Sequence, residues 1–333
     1  MGAEAEAASR LLSSQKRVHF CTLPTPVEKP HGLQAMMPSI DLLLKRDDVM
    51  ELAMGGNKVR KLEFLMADAR SQGCNVVITS GDLHSNHTRL TAAAARKLGM
   101  KAILAMKGKK PESLGGNLLL DFLLGAEVRF FDVDRNQIPS IMEEIRREQE
   151  ARGERCYVIP RGGASAHGVL GYVNAAIELK SQVAEDIDYV VFATGTGATQ
   201  AGLVLGTKLA GLKARVVGIS AGRPANEIAN DVRRLVAEAA DLLRVSVQLS
   251  SNEIIVDDSY TCGGYGVVTR EVTDVMEMVA RKEALLVDPV YTGKGMLGLL
   301  DMAKKGYFPK GSRVLFIHTG GLPIIFSHWR PTL

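Results

Sequence analysis

A lysine preceded by two glycines opens the stretch of this chain that could carry the most chemistry. Gly55-Gly56-Asn57-Lys58 leads into good helix formers over residues 62–69, so Lys58 is expected where a loop becomes a helix. The helix dipole and the neighbouring cations Arg60 and Lys61 would lower the pKa of the Lys58 amine, which makes it a better nucleophile. The alternative is a solvated lysine on a surface helix, the usual state of a single lysine.

A loop of small residues has the composition of an anion-binding turn. It reads Thr194-Gly195-Thr196-Gly197-Ala198-Thr199 and follows an apolar strand, so backbone N–H groups can converge there on an anion at a helix N-terminus. We therefore expect it to hold a phosphate. It lacks the ending of a nucleotide P-loop and the acidic partner of a dinucleotide fingerprint, which disfavours ATP, GTP and NAD. A tight turn without a ligand is the alternative.

A second polar loop, Gly81-Asp82-Leu83-His84-Ser85-Asn86-His87-Thr88-Arg89, also follows a predicted strand and opens a helix. Its hydroxyl, amide and imidazole groups are suited to capturing a carboxylate at the helix N-terminus. The alternative is that Ser85 or Asn86 only caps the helix. The two histidines have no third ligand at an obvious spacing, so no metal site is expected.

Two tyrosines lie in glycine- and proline-containing loops near the C-terminus. Tyr265 stands in Gly263-Gly264-Tyr265-Gly266, and Tyr291 in Asp288-Pro289-Val290-Tyr291-Thr292-Gly293-Lys294. Loop phenols can act as acids or positioning groups, although a single tyrosine is more often a core ring with a wet hydroxyl. The segment Ile317-His318-Thr319-Gly320-Gly321 gives a buried strand a polar tip, where a hydroxyl could touch a cofactor.

The elements that would position these residues alternate between apolar strands and amphipathic helices, which indicates parallel sheets with crossover helices. We predict an α/β protein with two doubly wound lobes and ligands at the C-terminal ends of the strands. A glycine-rich break at residues 160–165 suggests a boundary. The predicted strands are 41–45, 75–79, 101–106, 127–131, 157–159, 189–193, 215–219, 253–255 and 313–318, and the predicted helices are 61–72, 88–98, 116–124, 140–152, 170–181, 200–210, 225–239, 269–283 and 296–304.

Composition excludes several classes of protein. The 333 residues carry a net charge of only +4 and 5% aromatic residues, so neither a broad basic surface nor a stacking platform indicates nucleic acid. The four cysteines form no C-x-x-C pair, which argues against a zinc site or a disulfide framework. The sequence has neither a signal peptide nor an apolar run of about 18 residues. We expect a cytoplasmic protein that does not enter membranes.

An amine able to form an imine, a phosphate cup and a carboxylate-binding loop together indicate pyridoxal phosphate acting on an amino acid. The motifs GGNKVRKLEFLMADA, SNH, GTGAT, DPVYTGKG and FIHTGG occur in this order. They resemble the D-cysteine desulfhydrase and 1-aminocyclopropane-1-carboxylate deaminase family, which has the tryptophan-synthase-β-like fold (pyridoxal phosphate fold type II). The resemblance spans residues 20–326.

The resemblance implies a role for each matching residue. Lys58 would form the imine with the cofactor, and Asn86 would bind the 3-hydroxyl of its ring. Ser85 would bind the substrate carboxylate or act on it, with His84 and His87 beside it. Tyr265 and Tyr291 would be the two active-site tyrosines. The cofactor phosphate would be held by Lys61, Gly195, Thr196, Gly197, Ala198 and Thr199, and the pyridine nitrogen by Thr292 and Thr319.

Position 292 bears on the reaction. The resemblance implies glutamate here in true cyclopropane deaminases, where its carboxylate keeps the pyridine nitrogen protonated. This chain has Thr292, as in the desulfhydrase-like members. We therefore expect α,β-elimination, with D-cysteine giving pyruvate, ammonia and sulfide and with Lys58 as the base. Ring-opening deamination of 1-aminocyclopropane-1-carboxylate, amino-acid racemisation and a ligand-binding protein without turnover are the alternatives.

One departure from the family leaves the substrate open. His84 replaces the glutamine that commonly precedes the Ser-Asn pair, and its imidazole could read a second anion, such as the sulfonate of L-cysteate. We further expect a large domain of residues 1–54 and 166–333 that binds the cofactor, a small mobile domain of residues 55–165, and a homodimer.

Overall fold

The computed structural model describes residues 2–328, which contain ten strands and twelve helices. The strands are β1 Val27–Glu28, β2 Asp41–Arg46, β3 Val76–Asp82, β4 Lys101–Lys107, β5 Glu127–Phe131, β6 Cys156–Val158, β7 Tyr189–Thr194, β8 Arg215–Ser220, β9 Ile255–Asp257 and β10 Arg313–His318. The helices are α1 Ala3–Ser13, α2 His31–Gln34, α3 Lys58–Ser71, α4 Asn86–Lys97, α5 Gly116–Leu123, α6 Ile138–Glu150, α7 Ala166–Gln182, α8 Ala198–Leu209, α9 Ala225–Leu243, α10 Arg270–Glu283, α11 Thr292–Lys304 and α12 Leu322–His328.

The strands form two separate sheets. One has six strands in the order β1-β2-β10-β7-β8-β9, in which only the β1–β2 pair is antiparallel. The other has four parallel strands in the order β5-β4-β3-β6. The predicted architecture of two doubly wound lobes with mainly parallel sheets is therefore confirmed.

Both faces of each sheet are buried, as parallel sheets with crossover helices require. Along β7, Val190 and Phe192 pack into one hydrophobic cluster and Val191 into another on the opposite face. Along β3, Val77 and Ile78 likewise enter different clusters. Each strand is therefore fixed in register by two cores.

A close contact joins α3, the helix that begins at Lys58, to α7. A Cβ atom added to Gly171 of α7 would lie 2.4 Å from the carbonyl oxygen of Arg60 in α3. A glycine is therefore needed here so that the two helices can touch. The contact fixes the position of α3 relative to α7. It thereby also fixes the position of Lys58, which lies in the first turn of α3.

Several predicted boundaries were wrong by a few residues. The strand expected at 253–255 begins two residues later, because Ser251–Glu253 is a 3-10 turn closed by a reciprocal cap between Ser250 and Glu253. No helix within residues 2–328 is both long and apolar enough to cross a membrane.

Candidate active site

A cavity of about 320 Å³ lies where the carboxyl ends of the two sheets face each other, close to Asp82 of β3, Lys107 of β4 and Thr194 of β7. It is the crevice that parallel α/β folds use for ligands. The predicted site residues that line it are Lys58, Lys61, Ser85, Asn86, His87, Gly195, Thr196, Gly197, Thr199, Tyr265, Tyr291 and Thr319. Ala198, Thr292 and His84 are not among the lining residues.

Lys58 is the first residue of α3 and is partly buried at the floor of the cavity. Burial lowers the pKa of its amine to about 8, and the nearby cation of Arg89 adds to the effect while Asp288 opposes it. The lowered pKa was predicted, but attributing it to Arg60 was wrong. Arg60 points away from the cavity and is paired with Asp47 and Glu178.

Asn57, to which the sequence analysis gave no role, connects the lysine with the anion-binding turn. Its side-chain oxygen accepts a hydrogen bond from Lys58 Nζ at 3.0 Å. Its amide nitrogen donates to Thr199 Oγ1, also at 3.0 Å. Two opposite ends of one amide therefore hold the lysine and the first turn of α8 at a fixed separation. Its place next to Lys58 was the only signal in the sequence.

The turn from Gly195 to Thr199 has the geometry of an anion cup. Gly197 adopts a left-handed conformation with φ of 82° and precedes α8, whose N-terminus receives no side-chain cap. Lys61 faces the same space, buried, with its ammonium 3.3 Å from the Gly162 carbonyl oxygen. Burial and the neighbouring Lys58 lower the pKa of Lys61, and a bound anion would stabilise its charged form.

Ser85 caps α4, as the alternative interpretation held. Its hydroxyl oxygen accepts hydrogen bonds from the backbone N–H groups of His87 at 3.2 Å and Thr88 at 3.4 Å. The hydroxyl hydrogen finds no acceptor within residues 2–328 and faces the cavity. Capping and substrate binding are therefore compatible, because the first uses the oxygen lone pairs and the second the O–H group.

The orientation of the Asn86 amide is fixed by its neighbours. Asn86 Oδ1 accepts hydrogen bonds from Asn117 Nδ2 at 2.8 Å and from Arg89 Nη2 at 3.5 Å. The NH₂ end of the amide is thereby left for the cavity. Asn86 is thus presented as a donor, which suits an oxyanion on a ligand.

The tautomer of His87 follows from its partner. Thr79 donates its only hydroxyl hydrogen to the Ile159 carbonyl oxygen at 2.8 Å, so it accepts from His87 Nε2–H at 2.9 Å. Nδ1 therefore carries a lone pair, and that buried atom has no partner among the described residues. Burial, with Lys58 and Lys61 nearby, lowers the pKa of His87 well below its usual value. The neutral ring can accept a hydrogen bond from a ligand.

Tyr265 and Tyr291 meet at the cavity wall. Burial raises the pKa of both phenols, so both are protonated at neutral pH. The guanidinium of Arg161 lies 5.8 Å from the centre of the Tyr265 ring and is paired with Asp82. Arg161 and Asp82 both fall within the predicted small domain of residues 55–165, and no role in the site was predicted for either.

Thr292 lies one layer behind the cavity wall. Its hydroxyl donates to Asp288 Oδ2 and accepts from the Asp288 backbone N–H, both at 2.8 Å. Both hydrogen-bonding functions of the hydroxyl are therefore used by one buried aspartate. Thr319 does line the cavity, so of the two residues predicted to hold the pyridine nitrogen it is the one with direct access.

The His84 side chain does not line the cavity. Its Nδ1 lies 3.4 Å from Ser327 Oγ of α12.

The walls of the cavity are strongly basic. Their basic side chains are Lys58, Lys61, Lys107, Arg135, Arg161 and Arg223. Arg161 is paired with Asp82, and Arg223 with Glu227 and Asp231, so the remaining four have no carboxylate partner on the cavity wall. This balance favours a ligand with more than one negative charge. Within residues 2–328, no three His, Cys, Asp or Glu side chains are grouped so that they could hold a metal ion.

A family model described as pyridoxal-phosphate dependent enzyme matches residues 19–320. The chain is a pyridoxal-phosphate-dependent enzyme. The cavity fits this cofactor: the uncapped turn before α8 and Lys61 suit its phosphate, and the NH₂ group of Asn86 suits its ring oxygen. The predicted cofactor is thereby confirmed, and relatives named 1-aminocyclopropane-1-carboxylate deaminase confirm the predicted family.

Relatives of this enzyme cover nearly its whole length. A protein of Pyrococcus abyssi, provisionally named a 1-aminocyclopropane-1-carboxylate deaminase, is 42% identical over 322 residues, which is 96% of this chain and 95% of the relative. The 1-aminocyclopropane-1-carboxylate deaminase of Methylobacterium nodulans is 38% identical, with 91% and 93% covered. A crystal structure described as an ACC deaminase homologue superposes with a TM-score of 0.91 at 42% identity, covering 98% of both chains.

Proposed function

We propose that this enzyme deaminates a small α-amino acid and releases ammonia and a 2-oxo acid. One observation carries the proposal: the Lys58 amine lies in a cavity whose walls also hold an uncapped helix N-terminus and the Ser85 hydroxyl. An amine, a phosphate cup and a carboxylate donor are the three parts that pyridoxal phosphate chemistry on an amino acid needs.

Each residue has a part that its contacts support. Lys61 and the N–H groups from Gly195 to Thr199 would hold the cofactor phosphate, and the pyridine ring of bound pyridoxal phosphate would supply the electron sink. The Ser85 O–H would donate to the substrate carboxylate. Lys58, neutral in about half of the molecules near pH 8, would take up a proton at its Nζ.

The tyrosine pair would supply the acid. Both phenols are protonated at neutral pH and lie on the cavity wall. A phenol of this kind can give a proton to a carbon atom or to a sulfur leaving group. Since each hydroxyl can replace the proton that the other loses, the pair would act as one unit.

The relatives' names favour 1-aminocyclopropane-1-carboxylate as the substrate. From the sequence alone, D-cysteine was the expected substrate and 1-aminocyclopropane-1-carboxylate an alternative. Ring opening of this substrate would release 2-oxobutanoate. The high coverage of those relatives supports carrying the substrate over, and it is therefore the first candidate.

D-cysteine is the second candidate because of one residue. Thr292 is neutral, and its hydroxyl is occupied by Asp288, so this position offers no carboxylate to hold a proton on the pyridine nitrogen. A weaker electron sink suits elimination of a good leaving group such as sulfide. The product would then be pyruvate.

Product analysis separates the candidates. Purified enzyme loaded with cofactor would be incubated with 1-aminocyclopropane-1-carboxylate, D-cysteine, L-cysteine, L-cysteate and serine, with Lys58→Ala as the control. Release of 2-oxobutanoate or pyruvate identifies the reaction. Loss of α-deuterium without a 2-oxo acid would identify a racemase, and a loaded protein that does neither would refute the proposal.

The proposed domains, 1–54 with 166–333 and 55–165, are supported by the strands of the smaller sheet, which all fall within residues 76–158. Motion of the smaller unit, a homodimer and a cytoplasmic location remain predictions.

A further inference from the structure

Arg89 is a buried cation without an ion pair. It lies on α4 with no exposed surface, and no carboxylate within residues 2–328 lies at ion-pair distance. Burial lowers the pKa of Arg89 to about 10 and raises that of its neighbour Asp121 to about 8. At neutral pH the arginine is therefore charged and the aspartic acid is mostly neutral. Burying a cation without a carboxylate partner costs folding free energy. The hydrogen bonds that Arg89 makes to other groups therefore need an explanation.

The guanidinium holds a turn that leads directly to Lys58. Nη1 donates to the Ala53 carbonyl oxygen, and Nη2 donates to the Gly55 carbonyl oxygen at 3.1 Å. The two carbonyls belong to the segment immediately before Asn57 and Lys58. A planar guanidinium that donates hydrogen bonds to two carbonyl groups fixes both the position and the direction of a backbone turn.

That turn has an unfavourable backbone conformation. Four consecutive residues have positive φ values: Ala53 at 41°, Met54 at 67°, Gly55 at 62° and Gly56 at 113°. The left-handed region is costly for alanine and methionine, and such strain persists only when the surroundings enforce it. Arg89 supplies part of that enforcement through its two hydrogen bonds.

The same guanidinium also orients Asn86. Nη2 lies 3.5 Å from Asn86 Oδ1, three residues earlier on α4, and Asn117 holds the same oxygen. A positive charge behind the oxygen favours the amide orientation that turns the NH₂ group into the cavity. Arg89 therefore contacts both the turn that precedes Lys58 and the side chain of Asn86, and these two residues line the cavity.

The charge also acts on the lysine from a distance. The groups that influence the Lys58 amine are Arg89 from α4 and Asp288 from the loop before α11, while Lys61 on α3 and His87 on α4 are influenced by Lys58 in turn. After burial, Arg89 is the largest contribution that disfavours the ammonium form of Lys58. Removing the cation should leave more of the amine protonated.

We propose that Arg89 is a positioning residue that sets the cofactor-facing geometry of Lys58 and Asn86 together, by bracing the strained turn 53–56 and by orienting the Asn86 amide. The proposal rests on the cofactor-binding roles proposed for these two residues, and it does not depend on which amino acid is the substrate.

The test compares Arg89→Gln with Arg89→Lys, using Arg146→Gln as a matched control on the solvent side of α6, where Arg146 pairs with Glu143 and Glu150. Circular dichroism checks folding. In cofactor-free protein, competitive acetylation of Lys58, quantified by mass spectrometry across pH, reports the amine's titration midpoint. Titration of the same protein with pyridoxal phosphate reports cofactor affinity.

Arg89→Gln should raise the Lys58 midpoint by about one pH unit, a tenfold loss of neutral amine at pH 7, and should weaken cofactor binding about tenfold or more. Arg89→Lys keeps the charge and loses the fork, so the midpoint should stay close to that of the wild type while cofactor binding still weakens. Arg146→Gln should change neither. Folded Arg89 variants with unchanged midpoint and affinity would overturn the proposal, and so would failure of both to fold, because Arg89 would then be a general structural residue. Neither readout requires turnover, so an inactive wild type on every amino acid tested would count against the proposed function alone.

Discussion

The phenol oxygens of Tyr265 and Tyr291 lie 2.6 Å apart, with their ring centres 5.7 Å apart and the rings inclined at 68°. The first tyrosine comes from a glycine loop after β9 and the second immediately precedes α11. Such a short hydrogen bond between two partly buried phenols couples their protons, so the two should be considered as one acid.

Replacing Tyr291 by phenylalanine should lower kcat by about 10²–10⁴-fold, because it removes the hydroxyl that relays the proton. KM should change much less, since neither phenol is assigned to the substrate carboxylate. Steady-state kinetics with the substrate identified by product analysis measures the effect. Tyr260→Phe is the control: its hydroxyl bonds Asp301 at 2.7 Å, away from the cavity, and its kcat should match that of the wild type. Equal kcat values for Tyr291→Phe and the wild type would exclude an acid role.

The pKa of Lys58 predicts how cofactor loading depends on pH. The amine must be neutral to react with an aldehyde, and its pKa is lowered from 10.5 to about 8. The rate of cofactor incorporation into cofactor-free protein should therefore rise about tenfold per pH unit below pH 8 and level off above it. Stopped-flow absorbance at a fixed cofactor concentration measures this rate. A rise that continues towards pH 10 would mean that the amine titrates as an ordinary lysine. Lys58→Ala should lack the absorption band of covalently bound cofactor at any pH, because no amine remains at this position to react with the aldehyde.

The sequence patterns predicted the starts of three helices near the cavity too late in the chain. Helices α3, α8 and α11 each begin two to four residues before their predicted starts at 61, 200 and 296. The starts of these helices contain Asn57-Lys58, Gly197-Ala198 and Thr292-Gly293, which include asparagine, glycine and threonine, residues of weak helix propensity. Of these residues, Asn57, Lys58 and Gly197 line the cavity. The apolar strands and the lysine were predictable because hydrophobic periodicity and motif order are local signals.

The Arg161–Asp82 pair and the Asn57 bridge were not predictable in the same way. Asp82 and Arg161 are 79 positions apart, and Asn57 and Thr199 are 142 apart. Taken alone, each of these residues is of a type that is common in loops, so none of them stands out in the sequence. Only the meeting of strand ends from different parts of the chain gives them a role, and no periodicity in a single sequence reports such a meeting.

Asp47 should be one of the most stabilising side chains outside the site. Its carboxylate accepts hydrogen bonds from Arg60 at 2.8 and 2.9 Å, from Tyr172 at 2.5 Å and from Thr25 at 2.8 Å, and it has no exposed surface. Asp47→Asn leaves Arg60 buried with a weaker partner, which should cost about 3–5 kcal/mol in the free energy of unfolding. Denaturant unfolding measures this. Glu143→Gln, which breaks a partly exposed pair with Arg146, should leave the midpoint unchanged; similar losses in both variants would contradict the prediction.

Thr292→Glu tests whether a carboxylate at this position decides between ring opening and elimination. The new side chain enters a fully buried site beside Asp288, where two carboxylates would repel each other unless a cation pairs with one of them. A protonated pyridine nitrogen is such a cation, so the glutamate should stabilise that protonation and strengthen the electron sink. We expect the ratio of 2-oxobutanoate formed from 1-aminocyclopropane-1-carboxylate to pyruvate formed from D-cysteine to rise at least about tenfold, which corresponds to about 1.4 kcal/mol. Thr292→Gln has nearly the same volume without the charge and should leave the ratio near the wild-type value. Cofactor content, measured by absorbance, must be equal in the three proteins. If glutamate and glutamine shift the ratio alike, the effect comes from side-chain volume, and position 292 does not select the reaction through charge.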